Sequence, residues 1–334
     1  MSWLSTRKTG LAGLPVEGHL PGFDRATGWL NSAPLDVADL RGKVVLVDFW
    51  TYTCINWLRT LGYLRAWAEK YREQGLIVVG VHTPEFPFER DVVNVRQAAK
   101  DMRVEYPIAL DPEYAVWDAF SNRYWPAAYF ADAEGRIRHH QFGEGEYEEC
   151  ERIIQQLLRE AGRDDVPGEL VSVPDGGVEA QADWATLGSG ETYVGYQQGH
   201  NFESPGGVTI DEPRAYSLPE TLKLNSWALS GQWTVESRAS VLNEAGGSIA
   251  FRFHARDVNL VLRSRTGDAV PFRVLVDGDP PGAAHGLDVD DEGYGTLIQP
   301  RLYQLIRHPG PISDRTFEIT FDGVGVEAYV FTFG

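Results

Sequence analysis

Between residues 43 and 50 the chain reads KVVLVDFW, an apolar and aromatic run broken by Asp48. A run without alternation predicts a strand covered on both faces, as in a parallel or mixed sheet. From Trp57 to Tyr71 the apolar residues fall at 57, 58, 61, 64, 67, 68 and 71, one stripe of a helix that begins next to Cys54. LIVVGVH (76–82) predicts a second all-apolar strand, and Val92, Val95, Ala99 and Met102 line one face of a helix over about 89–102. After YPIALD (106–111) and a short helix near 113–120, AAYFAD and RIRHHQF flank the turn AEG as hairpin strands do. A last helix is expected over about 146–161. The order β-α-β-α-β-(short α)-β-β-α implies a three-layer α/β/α domain.

Residues 162–186 lose this periodicity and gain Gly, Pro and Asp, which marks a linker. Beyond it the period becomes two. Ile249, Phe251, Phe253 and Ala255 alternate with Ser248, Arg252 and His254, and Phe317, Ile319 and Phe321 alternate with Glu318 and Thr320. Short strands separated by NEAGG, VDGDPPG and DEGYG predict an all-β, jelly-roll-like antiparallel sandwich. The resulting division is an α/β domain over 1–165, a linker over 166–186 and a β-sandwich over 187–334.

The length of 334 residues fits two domains, each able to bury a core. With 30 basic and 48 acidic residues the net charge is −18, and that field repels nucleic acid and anionic membranes. No apolar run approaches the roughly 18 residues of a membrane span. The start shows no continuous apolar segment of a secretory signal, so a cytoplasmic location is expected; an extracytoplasmic one is the alternative if a leader precedes this numbering.

Two cysteines, Cys54 and Cys150, cannot make a disulfide framework and match no metal-site spacing, so neither metal nor other cofactor is expected. Cys54 follows a strand end and opens a helix, where unpaired N–H groups and the helix dipole favour a thiolate. The competing reading is a small buried hydrophobe. In FWTYTCINWLRT (49–60), Trp57 stands where the second cysteine of a Cys-x-x-Cys pair would be.

VDFWTYTC resembles the active-site approach of thioredoxins, which places a buried, proton-managing acid at Asp48. RYWPAAYFADAEGRI resembles the thioredoxin-fold segment with a cis-proline before a hairpin strand. That resemblance sets Pro126 beside the reactive cysteine and gives the backbone at Trp125 a docking role. The run GVHTPEFPFE…YPIALDPEYAVWDAF is similar to the redoxin subgroup related to TlpA and to the soluble part of DipZ-type proteins. WALSGQWTVE, GAAHGLDVD, RLYQLIRHPGPISDRTFEI and GVEAYVFTFG resemble the carbohydrate-binding-module-like sandwich that follows it there. The resemblance implies an α/β thioredoxin-like domain followed by this sandwich, and thiol redox chemistry.

Three departures shape that expectation. The membrane electron-carrier domain that precedes this region in full DipZ-type proteins is not in this chain, so the electron source is expected elsewhere. Gly62 replaces a helix-kinking proline, permitting a bend without imposing one. Trp57 cannot resolve a mixed disulfide, so Cys54 must be reset by an external thiol or pass through another oxidised state such as sulfenic acid.

Other residues carry paired readings. Cys150, at the start of the last helix, is expected to be structural rather than a resolving thiol, since a disulfide needs Cα atoms within about 7 Å. Thr51 has a T-x-x-C spacing also seen in peroxiredoxins, without their upstream proline. His82 and Glu85 follow the second strand, at the sheet end where α/β folds place ligands, or belong to a solvated or capped loop. Arg123 either favours a thiolate or anionic substrate, or is a surface charge. Asp48 either handles protons or is a satisfied polar residue of the strand. Trp227, Trp233, Tyr196, Tyr294 and Tyr303 suggest a glycan as ligand of the sandwich, though alternating aromatics are more often core. DVDDEG (288–293) resembles part of a calcium loop without its twelfth-position glutamate, and a hairpin turn is the stronger reading.

The expected activity is a monothiol redox protein: Cys54 reacts with disulfides, small thiols or peroxides, and an external thiol reductant, a small thiol or another redoxin, resets it. Thr51, Trp57, Trp125, His82, Glu85 and Arg123 are the expected site-lining residues beside Cys54, Asp48 and Pro126. The alternative is a redox-silent thioredoxin-fold scaffold whose sandwich recognises a glycan or protein.

Overall fold

The structure, a computed structural model, describes residues 13–174 and 176–334. The chain forms two compact units. One holds the residues through Thr51 together with Thr60–Val173, and the other holds Tyr52–Arg59 with Pro174–Gly334. The chain thus leaves the first unit for eight residues around Cys54, a partition that hydrophobic periodicity does not reveal.

The first unit is built on seven strands: β1 (Gly18–His19), β2 (Gly28–Leu30), β3 (Val44–Trp50), β4 (Leu76–His82), β5 (Ile108–Leu110), β6 (Ala127–Ala131) and β7 (Arg136–Phe142). Four α-helices connect them: α1 (Ile55–Lys70), α2 (Val92–Asp101), α3 (Ala115–Ala119) and α4 (Tyr147–Glu160). The sheet order is β1-β7-β6-β3-β4-β5-β2, with β3, β4 and β5 parallel and the remaining pairs antiparallel. All seven residues of β3 are buried, as its unbroken apolar run requires. Its alternation sends Val45, Val47 and Phe49 into one core with Val79, Val81, Trp117, Phe120 and Tyr129. Leu46, Asp48 and Trp50 take the opposite face. β1 and β2 escape sequence reading because two or three residues carry no period.

Local chemistry sets the helix starts. The Asp91 side chain accepts the Val93 N–H at 2.8 Å, so α2 begins at Val92, behind a separate 3-10 turn, Pro87–Arg90. The Asp111 carboxylate accepts the N–H groups of Val116 and Trp117 at 3.0 and 2.8 Å, opening α3. On α4, the buried Glu151 accepts from Tyr71 Oη at 2.6 Å, Lys70 Nζ at 2.9 Å and the Val171 N–H at 2.9 Å. Burial alone would raise its proton affinity; these bonds outweigh it and hold the carboxyl below its ordinary range. Part of the expected linker is therefore fastened to the first unit, and the boundary between units falls after Val173.

The second unit is antiparallel and all-β, with eleven strands: β8 (Thr192–Tyr193), β9 (Arg214–Tyr216), β10 (Trp227–Val235), β11 (Ser240–Leu242), β12 (Ser248–Phe253), β13 (Asp257–Ser264), β14 (Val270–Val276), β15 (Tyr294–Leu297), β16 (Arg301–Arg307), β17 (Arg315–Phe321) and β18 (Val326–Phe333). The path runs β15-β14-β17-β12-β10-β11-β18-β13-β16, with β8 on β18 and β9 on β10. β10 changes partner midway. Trp227–Ser230 pair with β12 and Trp233–Val235 with β11. Gly231 between them has φ +94°, and a Cβ there would lie 2.8 Å from the Gly247 Cα, so the corner requires glycine.

Trp227, Trp233 and Tyr303 lie in the sandwich core among Leu229, Phe251, Phe272 and Phe331, and cannot stack on a sugar. The other two candidates, Tyr294 and Tyr196, are exposed and engaged locally, Tyr294 beneath the Arg273 guanidinium at 4.9 Å and Tyr196 donating to Asp211 at 3.1 Å. DVDDEG forms a turn into β15, closed by the Asp290 N–H on the Tyr294 carbonyl and the Gly293 N–H on the Asp290 carbonyl, both 3.0 Å. Among the described residues no helix is long and apolar enough to cross a membrane.

Candidate thiol site

β3 delivers the chain at Trp50, whose carbonyl accepts the Thr83 N–H at 3.0 Å. Thr51, Tyr52 and Thr53 are buried, and then comes Cys54, whose carbonyl accepts the Leu58 N–H at 3.0 Å. Cys54 therefore holds the cap position of α1, where the first-turn N–H groups and the dipole favour an anion. Between Thr51 and Thr60 every residue is buried except Cys54 and Asn56, which are partly exposed. Cys54 is thus partly exposed in an otherwise closed segment.

Trp57, one turn along, is 0% exposed. It is a core side chain and offers no surface to a substrate. Two residues further, buried Arg59 donates from Nη2 to the Phe333 carbonyl at 3.0 Å, while its own carbonyl accepts Gln181 Nε2 at 3.4 Å. These bonds lie inside the second unit. Cys150 is 3% exposed, and burial, reinforced by Glu149 and Glu146, pushes its thiol up to about 12. Neither cysteine is in a disulfide.

At the same end of the sheet the Trp125–Pro126 peptide is cis, and the register of Phe49 with Ala127 brings Pro126 level with the end of β3. The Pro126 carbonyl accepts the Gly143 N–H at 2.9 Å. Trp125 packs on Trp117 with ring centroids 4.3 Å apart and donates from Nε1 to the Thr83 carbonyl at 3.1 Å. Thr83 also donates its hydroxyl to Asp111 at 3.3 Å. Through Thr83, then, the ends of β3, β4 and β5 and the loop before β6 are laced together. The sequence offered one sign of it, a polar residue directly after an all-apolar strand.

The loop after β4 is ordered by Glu89, a buried carboxylate accepting the N–H groups of Glu85 and Phe86 at 2.7 and 2.8 Å. Glu85 itself is half-buried and belongs to this capped loop. His82 is not on a ligand-facing loop. It is buried in the sheet with its ring edge-on to Trp50 at 4.8 Å, and burial lowers its imidazole to about 3, so it is neutral. Arg123 is exposed. Thr51 is fully buried, and its hydroxyl has no hydrogen-bond partner among the described residues.

Asp48 lies at the centre of β3, opposite Gly80 of β4 and Ala128 of β6, and is fully buried. Its face of the sheet carries Trp50, His82 and the ring of Tyr106. A Cβ on Gly80 would sit 2.8 Å from Trp50 Nε1 and 3.0 Å from Tyr106 Cε2, so glycine makes the room in which these rings approach. Burial and then the Asp48 charge raise the Tyr106 phenol well above its ordinary value, with Arg65 opposing.

Residues 18–140 match the AhpC/TSA family, and residues 189–334 match the thioredoxin-like C-terminal domain. Over 281 residues, 83% of this chain, the sequence is 38% identical to Protein DipZ of Mycobacterium tuberculosis. The chain spans 39% of that relative's length. The thiol-disulfide oxidoreductase YkuV of Bacillus subtilis is 29% identical over 141 residues, 42% of this chain and 95% of YkuV. A thioredoxin-like protein whose oxidised form has a solution structure shares 30% identity, over 44% of this chain and 97% of its own, with a TM-score of 0.38. A cysteine capping the helix after the central strand, a cis-proline level with that strand's end, and sequence matches over both units lead to one assignment: the chain joins a thioredoxin-like AhpC/TSA-type domain to a thioredoxin-like C-terminal domain.

Proposed function

We propose that this protein is a thiol–disulfide oxidoreductase working through one nucleophilic thiol, Cys54. The observation that carries the reading is the contrast along one helical turn: a partly exposed cysteine at the cap of α1, and a fully buried Trp57 where a resolving thiol would stand. The Cys54 thiolate attacks one sulfur of a disulfide RS–SR′, a Cys54–SR bond forms, and R′S⁻ leaves and takes up a proton. A second, external thiolate attacks the Cys54–SR bond, regenerating the Cys54 thiolate and carrying R away as a new disulfide. With a peroxide as oxidant, Cys54 would pass through sulfenic acid, and an external thiol would restore it in two steps. In this scheme Asp48 handles the proton beneath the site, and Pro126 with the Trp125 backbone docks the partner. Thr51 supports the buried wall behind the thiol. The chemistry needs redox partners and no cofactor. Names of relatives support this class of reaction, since YkuV is a thiol-disulfide oxidoreductase.

The test is alkylation of Cys54 across pH, followed by mass analysis after exposure to oxidised glutathione and to peroxide. A thiol that alkylates faster than free cysteine at pH 7, with a glutathione adduct released by added thiol, is the expected result. Alkylation no faster than free cysteine, with no adduct, would overturn the reading and leave a redox-silent scaffold.

A further inference from the structure

The second unit holds a cavity of about 260 Å³, walled among others by Gly177, Ala180, His285, Leu287, Gln304 and Arg307. On one side the segment 285–288 runs along the outer edge of β16. The Gly286 N–H donates to the Leu305 carbonyl at 2.9 Å and the Asp288 N–H to the Gln304 carbonyl at 3.1 Å. A Cβ on Gly286 would fall 2.1 Å from that Gln304 oxygen, so glycine is what lets the segment lie this close. The His285 ring is fixed in the wall by Nδ1, which donates to the carbonyls of Gly286 and Val289 at 3.0 and 3.1 Å. On the other side, two guanidiniums tie the stretch 177–181 to the sheet: Arg307 donates from Nη1 to the Gly177 carbonyl, and Arg256 from Nη2 to the Gln181 carbonyl at 2.6 Å.

Two polar side chains of β16 meet at this cavity. In the β13–β16 ladder Arg307 stands opposite Asp257, and Gln304 opposite Asn259. Val258 and Leu260 point into the sandwich core, so Asp257 and Asn259 take the other face, and Arg307 and Gln304 with them; Gly177 lies on that face. Asp257 is a single carboxylate between two guanidiniums, 2.8 Å from Arg256 Nη2 and 3.6 Å from Arg307 Nε, while Asp288 is taken up by Arg301 at 2.6 Å. Among these groups positive charge is in excess. Gln304 is 3% exposed, and its amide has no hydrogen-bond partner among the described residues. Asn259 does not supply one: its Nδ2 donates to the Thr332 carbonyl at 3.4 Å, and its Oδ1 is without a partner as well. A buried amide left unbonded destabilises a fold unless a bound molecule completes it.

We propose that this cavity binds a small organic carboxylate: Arg307 receives the carboxylate, the Gln304 amide donates to it, and Ala180 and Leu287 cover its apolar body. Arg307 is held from behind by Gly177 and Asp257, so its remaining N–H groups form a fixed planar fork of the kind that pairs with a carboxylate. The apolar wall disfavours a fully hydrated inorganic anion, and the volume, just under the range of about 300–1,000 Å³ of drug-sized sites, restricts the ligand to a small acid. Every group of the site belongs to the second unit's sandwich and the stretch leading into it. The proposal is independent of the thiol chemistry and stands whether or not Cys54 is reactive.

The test is titration of the isotope-labelled full chain with acetate, propionate and benzoate, following the Gln304 side-chain amide and the Gly177 N–H by NMR. At least one of these acids should give saturable shifts at both positions. Benzamide, which keeps the shape of benzoate without its charge, and inorganic phosphate should bind more weakly than the best carboxylate by about tenfold or more. Arg307→Gln should weaken that carboxylate by about tenfold or more and Gln304→Leu by about threefold or more. Gln304→Leu should also melt no lower than wild type, because it removes an amide that the fold leaves unbonded. No saturable shift with any of the three acids overturns the proposal, as does a benzamide or phosphate affinity equal to that of the carboxylate. If Arg307→Gln does not fold, Gln304→Leu decides: undiminished binding, or a melting point below wild type, would show that the amide serves the fold and not a ligand.

Discussion

Replacing Trp57 with cysteine restores the Cys-x-x-Cys spacing at the head of α1, and two opposing effects can be weighed. Trp57 is wholly buried, and emptying such a site costs about 3–5 kcal/mol in large-to-small core series. A disulfide between residues 54 and 57 closes a four-residue loop and restricts the unfolded chain by about 2 kcal/mol in the chain-entropy treatment. The cavity wins by about 1–3 kcal/mol, so Trp57→Cys should unfold at lower urea than wild type even when oxidised, and lower still when reduced. Chemically the direction is reversed. A glutathione adduct on wild-type Cys54 should persist until external thiol is added, whereas in Trp57→Cys the new thiol should release it unaided. Urea unfolding with and without reductant reads the first effect, and mass analysis of the quenched adduct reads the second. A variant as stable as wild type would refute the account of Trp57 as core, and a wild-type adduct that resolves by itself would refute the single-thiol mechanism.

Three further outcomes follow from the geometry. Cys54 should react with a chromogenic disulfide in the native protein, while Cys150, buried and with its thiol raised to about 12, should react only in denaturant; two native-state thiols would contradict this. Glu151→Gln should cost about 2–4 kcal/mol near pH 7, because it removes a buried charge that Tyr71, Lys70 and Val171 were placed to bond. The Glu151 carboxyl is lowered on folding, so its stabilisation is complete above the unfolded value, near pH 4.3, and is lost as pH falls through the folded one. The difference between variant and wild type should therefore shrink in acid, and a pH-independent difference would show that charge is not involved. His82, neutral in the fold, must remain unprotonated while the unfolded chain takes up a proton below about pH 6.5, so stability should fall as pH drops from there toward 3. His82→Phe should remove up to about 1.4 kcal/mol per pH unit of that slope in urea titrations at pH 6.5 and 5, and an unaltered slope would place the titration elsewhere.

Much of this architecture is legible in the chain because its signals are local. The unbroken run at 44–50, the seven-residue strand at 76–82 and the hairpin strand at 136–142 carry their own periodicity, and the placement of Cys54 at a helix start follows from two adjacent patterns. What stays hidden depends on partners distant in sequence. Nothing near Trp57 says whether an indole at that spacing lines a site or fills a core; packing decides it. Glu89, Asp111 and Glu151 look like ordinary acidic residues, and their burial is set by backbone N–H groups that only the fold brings to them. His82 follows a strand and so invites a ligand-facing role, yet one further residue of pairing with Trp50 keeps it inside the sheet. Gly80 reads as a weak point in a strand until the Trp50 and Tyr106 rings are seen against it.

The eight residues from Tyr52 to Arg59 have a practical consequence for anyone cutting this protein into pieces. By sequence they belong to the redoxin domain, and a boundary drawn near residue 165 would keep them there. By contact they belong with Pro174–Gly334, where the Phe333 carbonyl receives the Arg59 guanidinium. A fragment ending in the linker retains Cys54 and the whole seven-stranded sheet, but strips the cap of α1 of the unit with which it is compact. Reactivity measured on that fragment would be read from a thiol without those neighbours.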